Sequence, residues 1–304
     1  MLVHVLNTAL PVFIALFLGV LCRKKEILSR AGVDTLKKVA VDICLPAVLF
    51  SAFATAEYSA KGMLVPLFVF FLCCLALGLG ILLKKLFRQE SRLMPFLMTG
   101  FEAGMLGYGL YALLFPGEGT AAFAIVDLGQ VLFVFTLYKG LLYGKGSAGE
   151  LARQAVASPV LWAIVIGMVF GMTGLYSALA PSGVAGIIDG VTDFIAAPTS
   201  CLILITIGFD LELKNTPWRK VLSYTGMRVC VMALLLCAAL LVNSYVLGGI
   251  IRTEALLLLM ILPAPFVLPV FADVEEERSA VASTLSVMTL LSLLIFCVMA
   301  AVYA

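Results

Sequence analysis

The sequence contains few charged residues and a single histidine. Lys, Arg, Asp and Glu make up 12% of the 304 residues, about half the share found in soluble domains. This deficit excludes an ordinary soluble domain. The one histidine, His4, lies at the start of the chain, so hydrolases of the membrane interior that need histidine for proton transfer are disfavoured. Gly-x-Gly-Asp and Asp-rich motifs are also absent, which makes a membrane-embedded enzyme a remote alternative.

The eight cysteines form no pattern with a known chemical function. All of them lie within or at the edge of apolar segments, and their spacing matches neither a metal site nor a disulfide framework. We predict that they are small packing residues, with no metal and no cofactor bound. The formal net charge of +2 says little about partners, and we predict no nucleic-acid partner.

Long apolar runs are what the sequence does have. Hydrophobic residues make up 63% of the chain, and the mean hydropathy is +1.14. A membrane-spanning helix needs roughly 20 mostly apolar residues, and loops between the runs are too short for a soluble domain. The sequence therefore predicts one all-α integral membrane domain over 1–304. Its ten predicted segments lie at about 3–22, 35–54, 62–83, 93–115, 120–143, 158–178, 187–209, 219–242, 254–272 and 279–303.

Positive charge is unevenly distributed between the loops. Seventeen of the twenty Lys and Arg residues lie in odd-numbered loops or their flanks, two lie in even-numbered loops, and Arg228 lies within the eighth segment. Because cytoplasmic loops are enriched in Lys and Arg, we expect a multi-pass protein of the cytoplasmic membrane with both termini outside. The basic cluster follows the first apolar run, which is the reverse of a cleavable signal.

The ten segments divide into two similar halves, 1–145 and 150–304. The second and seventh segments each carry a proline near the middle, Pro46 and Pro198. Because five is an odd number, the second half would insert upside down. The sequence thus predicts two inverted five-helix repeats, an arrangement typical of secondary transporters.

The fourth and ninth segments are the most interrupted pair. The fourth reads "TGFEAGMLGYGLYALLF" and contains four glycines, whereas the ninth contains "ILPAPFVLPVF" with three prolines. Irregular backbone at membrane depth is tolerated only where protein or a water-filled cavity satisfies its polar groups. We therefore expect two broken helices that cross at a binding site, with Pro263 and Pro265 facing Gly104. The N-terminus of a half-helix there would favour an anion.

Five stretches resemble the auxin efflux carrier family, whose bacterial members include malonate and malate permeases. They are "LPVFIALFLGVLCRKKEILS" (10–29), "LPAVLFSAF" (45–53), "GEGTAAFAIVDLGQVLFVFTL" (117–137), "APTSCLILITIGFDLEL" (197–213) and "FADVEEERSAVASTLSVMTL" (271–290). The resemblance implies the inverted-repeat fold of the bile-acid sodium symporters, broken helices 4 and 9, alternating access and a homodimer. Two features depart from the family. Glu102 stands where relatives often have asparagine, and Pro265 and Pro269 are additional prolines.

Candidate site residues follow from the breaks and from the ionisable residues inside apolar segments, which are costly there and mark function by default. The substrate-binding candidates are Gly100, Glu102, Gly104, Tyr108, Pro263 and Pro265. The candidates for coupling to an ion are Glu102, Asp127 and Gln130. The predicted helix breaks are Pro46, Pro198, Gly107 and Pro269. Arg228 is expected to extend toward the cytoplasmic face, with recognition of a substrate carboxylate as the bolder alternative.

These observations favour a secondary active transporter that moves a small organic anion, such as a carboxylate, across the cytoplasmic membrane by alternating access. H⁺ and Na⁺ are the candidate coupling ions. Two alternatives stay open within transport. One is a sodium-coupled carrier of a larger anion, similar to bile-acid symporters. The other is a cation/proton antiporter, although antiporters favour two adjacent acids at the crossover and "FEAGMLG" has one.

Overall fold

The structure is a computed structural model that describes residues 2–59, 61–115, 120–143, 148–211 and 216–303. The sequence motifs at 117–137 and 197–213 extend into the gaps between these ranges, and to that extent they lie outside the described residues. Every regular element in the described ranges is helical. The protein is thus all-α, as the sequence predicts.

The described residues of the first half form eight α-helices and three wide π turns. The helices are α1 (Leu2–Lys24), α2 (Arg30–Val39), α3 (Leu45–Ala54), α4 (Leu64–Leu86), α5 (Met94–Leu97), α6 (Tyr108–Leu114), α7 (Ala121–Phe133) and α8 (Lys139–Tyr143). The π turns are Ala40–Cys44, Ala103–Gly107 and Val134–Tyr138. Each π turn runs directly into the helix that follows it, so it widens a helix without ending it.

In the second half, the part of the chain that the structure describes forms eight α-helices and one 3-10 turn. The helices are α9 (Ala148–Ala157), α10 (Pro159–Met172), α11 (Leu175–Leu179), α12 (Val184–Ala196), α13 (Thr199–Asp210), α14 (Trp218–Tyr245), α15 (Thr253–Ile261) and α16 (Glu275–Val302). The 3-10 turn is Leu268–Phe271. The fourth and ninth predicted segments are therefore both interrupted, between α5 and the turn at Ala103–Gly107 and between α15 and the 3-10 turn.

Six helical stretches in the described ranges are long and apolar enough to cross a membrane. They are Asn7–Lys24, Leu64–Leu86, Ala121–Tyr143, Val184–Asp210, Trp218–Tyr245 and Glu275–Val302. Two shorter apolar helices, Ala103–Leu114 and Pro159–Met172, lie between them in the chain. Large apolar side chains such as Phe17 and Phe194 face outward, as lipid contact requires. The protein is thus a multi-pass membrane protein, whereas the count of ten and the inverted repeat stay predictions.

Glycines allow two pairs of helices to pack backbone against backbone. Helix α1 packs on α13, where a Cβ on Gly19 would lie 2.1 Å from the Ile205 carbonyl oxygen and one on Gly208 would lie 2.1 Å from the Leu16 carbonyl oxygen. Helix α10 packs on α3 in the same manner, at Gly167. Small residues at such contacts are the usual means by which membrane helices approach closely. These pairs leave α4, α7 and α14 to surround the two interruptions.

Candidate functional site

The two interrupted segments meet at their breaks. We define the first break as residues 98–102 and the second break as residues 262–267, which lack regular helix. The Glu102 amide donates to the Pro263 carbonyl at 2.9 Å. Gly100 has a φ of +68°, and a Cβ there would lie 3.0 Å from Cγ of Pro265. Glycine is required at position 100 for both reasons, the left-handed conformation and the close approach.

The side chain of Glu102 joins the second halves of both segments. Its Oε2 accepts from the Phe266 amide at 2.7 Å, and its Oε1 accepts from the Met105 amide at 3.4 Å. Glu102 thereby caps the helix that begins at Ala103, where a negative charge is favoured. Glu102 as a whole residue is half-buried.

The side chain of Arg228 joins the first halves of both segments. Arg228 extends from α14 and is 3% exposed. Its guanidinium donates to the carbonyls of Leu97 at 2.7 Å, Gly100 at 2.8 Å and Leu262 at 2.9 Å. The expectation that Arg228 extends to the membrane surface is therefore wrong. The carbonyls left without partners where α5 and α15 end provide acceptors inside the protein.

Glu102 and Arg228 satisfy opposite ends of the broken helices. A helix end leaves carbonyls without partners on its C-terminal side and amides without partners on its N-terminal side. The guanidinium lies at the Leu97 and Leu262 carbonyls, where α5 and α15 end. The carboxylate lies at the amides of Met105, in the π turn after the first break, and Phe266, just before the 3-10 turn. Broken backbone at membrane depth needs such partners. The protein's own charged side chains thus stabilise both breaks.

Helix α7 adds a second carboxylate to this site. Gln130 Nε2 donates to the Phe101 carbonyl at 2.9 Å and to Asp127 Oδ1 at 3.2 Å. The Tyr108 hydroxyl donates to Asp127 Oδ2 at 3.2 Å. Gln130 and Asp127 are both buried, and Gln130 Oε1 has no hydrogen-bond partner among the described residues. Counted as fully ionised, Glu102, Asp127 and Arg228 give the site one excess negative charge.

Of the predicted substrate residues, Gly100, Glu102, Pro263 and Pro265 lie at the contact between the breaks, and Tyr108 reaches it through Asp127. The expectation that Gly104 faces the prolines is wrong. A Cβ on Gly104 would meet only Leu45. Gly100 takes that place instead, because it has the left-handed backbone that brings it against Pro265.

The predicted helix breaks are distributed differently from the observed ones. Pro46 lies in the first turn of α3, where proline is tolerated, and the helix is continuous there. Pro198 precedes α13 and follows a short interruption after α12. Gly107 belongs to a π turn that continues into α6, and it packs against Phe123. Pro269 lies in the 3-10 turn after the second break.

One group at the second break, the Phe266 amide, could not be identified from the sequence, because it belongs to the backbone and no side-chain pattern marks it. A second group is a side chain of another helix. The Ser292 hydroxyl of α16 donates to the Ile261 carbonyl at the end of α15 and also lies 2.8 Å from the Met288 carbonyl. The Ser292 hydroxyl thus satisfies backbone carbonyls at the end of α15 and in its own helix.

An apolar cavity of about 280 Å³ lies on the other side of Arg228, between α14, α15 and α16. Apart from Arg228 and Thr225, its lining consists of apolar side chains such as Met232, Leu257 and Met299. Glu102 and Asp127 do not line it. The carboxylates and the converging amides therefore place the candidate site at the breaks, away from this cavity.

Comparison with known proteins agrees with this description. Residues 4–148 match the model of a family described as membrane transport protein. An uncharacterized transporter of Methanothermobacter thermautotrophicus is 28% identical over 218 residues, which cover 68% of each chain. Both findings agree with the transporter resemblance drawn from the sequence motifs. The family match lies in the first half of the chain.

Proposed function

We propose that this protein is a secondary active transporter for a small organic anion with a carboxylate group, which binds where the two breaks meet. One observation carries the proposal. The amides of Phe266 and Met105, from two different interrupted segments, converge on one carboxylate, that of Glu102. The backbone at the breaks is thus built to hold a carboxylate, and a substrate carboxylate would find the same donors.

The packing supports the inverted repeats on which alternating access would depend. Helix α1 of the first predicted segment packs on α13 of the seventh, and α10 of the sixth packs on α3 of the second. A two-fold axis that relates the halves would exchange these pairs. We extend the proposal to a cytoplasmic membrane location with both termini outside, since Lys and Arg concentrate in the odd-numbered loops. A second copy of the chain is a proposed partner on the resemblance alone.

A cation/proton antiporter is the second candidate. The observation in its favour is the excess negative charge of the site, because two carboxylates and a single guanidinium would favour a bound cation. A carrier of this kind would use Glu102 and Asp127 as ligands for H⁺ or Na⁺. The transporter family gives no support to an enzymatic role.

Transport by purified protein in liposomes distinguishes these candidates. Radiolabelled malonate is added outside vesicles loaded with unlabelled malonate, and exchange is followed with and without protein. We expect exchange that acetate or malate inhibits and that the uncharged dimethyl malonate does not. Sodium or potassium movement driven by a proton gradient, with every carboxylate inert, would replace the anion transporter by the antiporter.

A further inference from the structure

Glu102 occupies the donors that the proposed function assigns to the substrate. Its two carboxylate oxygens accept from the Phe266 and Met105 amides. Each amide has a single hydrogen, so it cannot serve two carboxylates fully at once. On the proposed function, a substrate carboxylate can therefore bind there only after Glu102 releases these amides.

The charge of the site opposes a second free carboxylate. Glu102 and Asp127 already outnumber the one guanidinium, that of Arg228. None of the ion pairs among the described residues supplies another cation to this cluster. An added anion would lie beside a released, ionised Glu102 in poorly solvated surroundings, which strongly disfavours both charges. For an anion that carries one negative charge, a proton on Glu102 would leave the total charge of the site unchanged.

The site also has fewer hydrogen-bond donors than its buried acceptors require. Gln130 Oε1 is a buried acceptor without a partner in the described part of the chain. Gln130 already spends its amide hydrogens on the Phe101 carbonyl and Asp127. A neutral carboxyl group carries one O–H donor that a carboxylate lacks. One bound proton would thus supply the missing charge, and it would add one donor to a site that has an unpartnered acceptor.

We infer that a substrate carboxylate replaces Glu102 at the Phe266 and Met105 amides, and that Glu102 takes up one proton as it is released. Anion and proton would then enter the site together, one for one, with the proton coming from water. This inference rests on the proposed function and names its coupling ion as H⁺.

Other titratable groups face the breaks from each surrounding element. They are Cys73 on α4, Tyr108 on α6, Asp127 on α7, Tyr138 in the third π turn and Arg228 on α14. Asp127 is the main competitor for the proton. Its two oxygens keep their donors, Tyr108 and Gln130, when an anion enters, so we assign the proton to Glu102.

Calorimetric titration of purified protein with malonate tests the inference. The titration is run at about pH 7 and about pH 8, in two buffers with different heats of ionisation, so that the heat reports the protons taken up. We expect the wild type to take up about one proton more per malonate than Glu102→Gln. One linked proton also means that wild-type affinity falls about tenfold per pH unit relative to the variant.

Asp127→Asn is the matched control, since it removes the other carboxylate of the site, and we expect it to keep the proton uptake. Uptake that is lost in Asp127→Asn but kept in Glu102→Gln would overturn the inference. Equal proton counts in the wild type and Glu102→Gln would overturn it too and leave the carboxylate transporter standing. If no protein bound malonate, malate or acetate at either pH, the proposed function would fail and the inference with it.

Infrared spectroscopy keeps the inference testable if Glu102→Gln does not fold. Wild-type protein labelled with ¹³C-glutamate is compared before and after malonate is added. We expect a new band of a protonated, labelled carboxyl group. A spectrum in which malonate binds without such a band would overturn the inference.

Discussion

Replacing Arg228 with methionine should destabilise the protein more than any surface change on the same helix. Methionine keeps much of the length and apolar body of arginine but donates no hydrogen bond. The carbonyls of Leu97, Gly100 and Leu262 would each lose the donor that now lies 2.7–2.9 Å away. Buried polar groups left unpaired cost about 1–3 kcal/mol each, while interhelical hydrogen bonds in a membrane protein average about 0.6 kcal/mol.

Across three carbonyls these values give a loss of about 2–9 kcal/mol in the free energy of unfolding. Lysine at position 228 should give an intermediate loss, because its compact ammonium lacks the planar fork that reaches several acceptors. The matched control is Lys220→Met. Lys220 lies on the same helix, α14, and pairs with Glu276 at the surface, where an ion pair contributes at most about 1 kcal/mol.

Equilibrium unfolding in mixed detergent and lipid micelles, followed by circular dichroism, measures these differences. The four proteins are compared at the same lipid composition and salt concentration. If Arg228→Met unfolded at the same denaturant concentration as Lys220→Met, the three hydrogen bonds would have no net stabilising effect. The explanation of how the breaks are stabilised would then be refuted.

Two further predictions concern packing and pH. Gly208→Ala places a Cβ about 2.1 Å from the Leu16 carbonyl oxygen and should cost at least about 1–3 kcal/mol through overpacking. Gly226→Ala, on an open face of α14 with nothing within 4 Å, should be near neutral in the same unfolding assay, and equal losses would contradict the close contact. Burial raises the pKa of Tyr58, in the loop after α3, to about 12. Its phenol therefore ionises first in the unfolded chain, and stability should fall as pH rises from about 10 to about 12. The difference in ultraviolet absorbance between the wild type and Tyr58→Phe, followed against pH, should show that the Tyr58 phenol ionises with a midpoint near pH 12. A midpoint near the ordinary tyrosine pKa of about 10 would contradict this prediction.

The existence of the two breaks could be predicted from the sequence because glycine and proline act on the backbone locally. Proline removes a donor and glycine permits unusual dihedral angles, whatever the surrounding fold. Which glycine adopts the left-handed conformation could not be predicted. Four glycines of the fourth segment can all do so, and Gly100 does because it lies against Pro265. The prediction of Gly104 failed for this reason.

The role of Arg228 could not be read from side chains because its partners are carbonyls of the backbone. Every residue has a carbonyl, so Leu97 and Leu262 carry no distinguishing mark. Only the presence of one basic residue deep inside an apolar segment indicated an unusual function. The Phe266 amide was missed for the same reason. Conversely, the pairing of Asp127 with Gln130 follows from their spacing of three on one helix and is present.

The amides that hold the Glu102 carboxylate have a consequence for how proteins with this site can diversify. An N–H group is present whichever residue occupies position 105 or 266, unless that residue is proline. The side chains of Met105 and Phe266 are both partly exposed. Mutation can therefore change the size and polarity of these side chains while the backbone amides still bind an anionic group. Relatives that bind different anions would then differ in these two side chains. The anion-binding amides would be retained wherever the backbone conformation is retained.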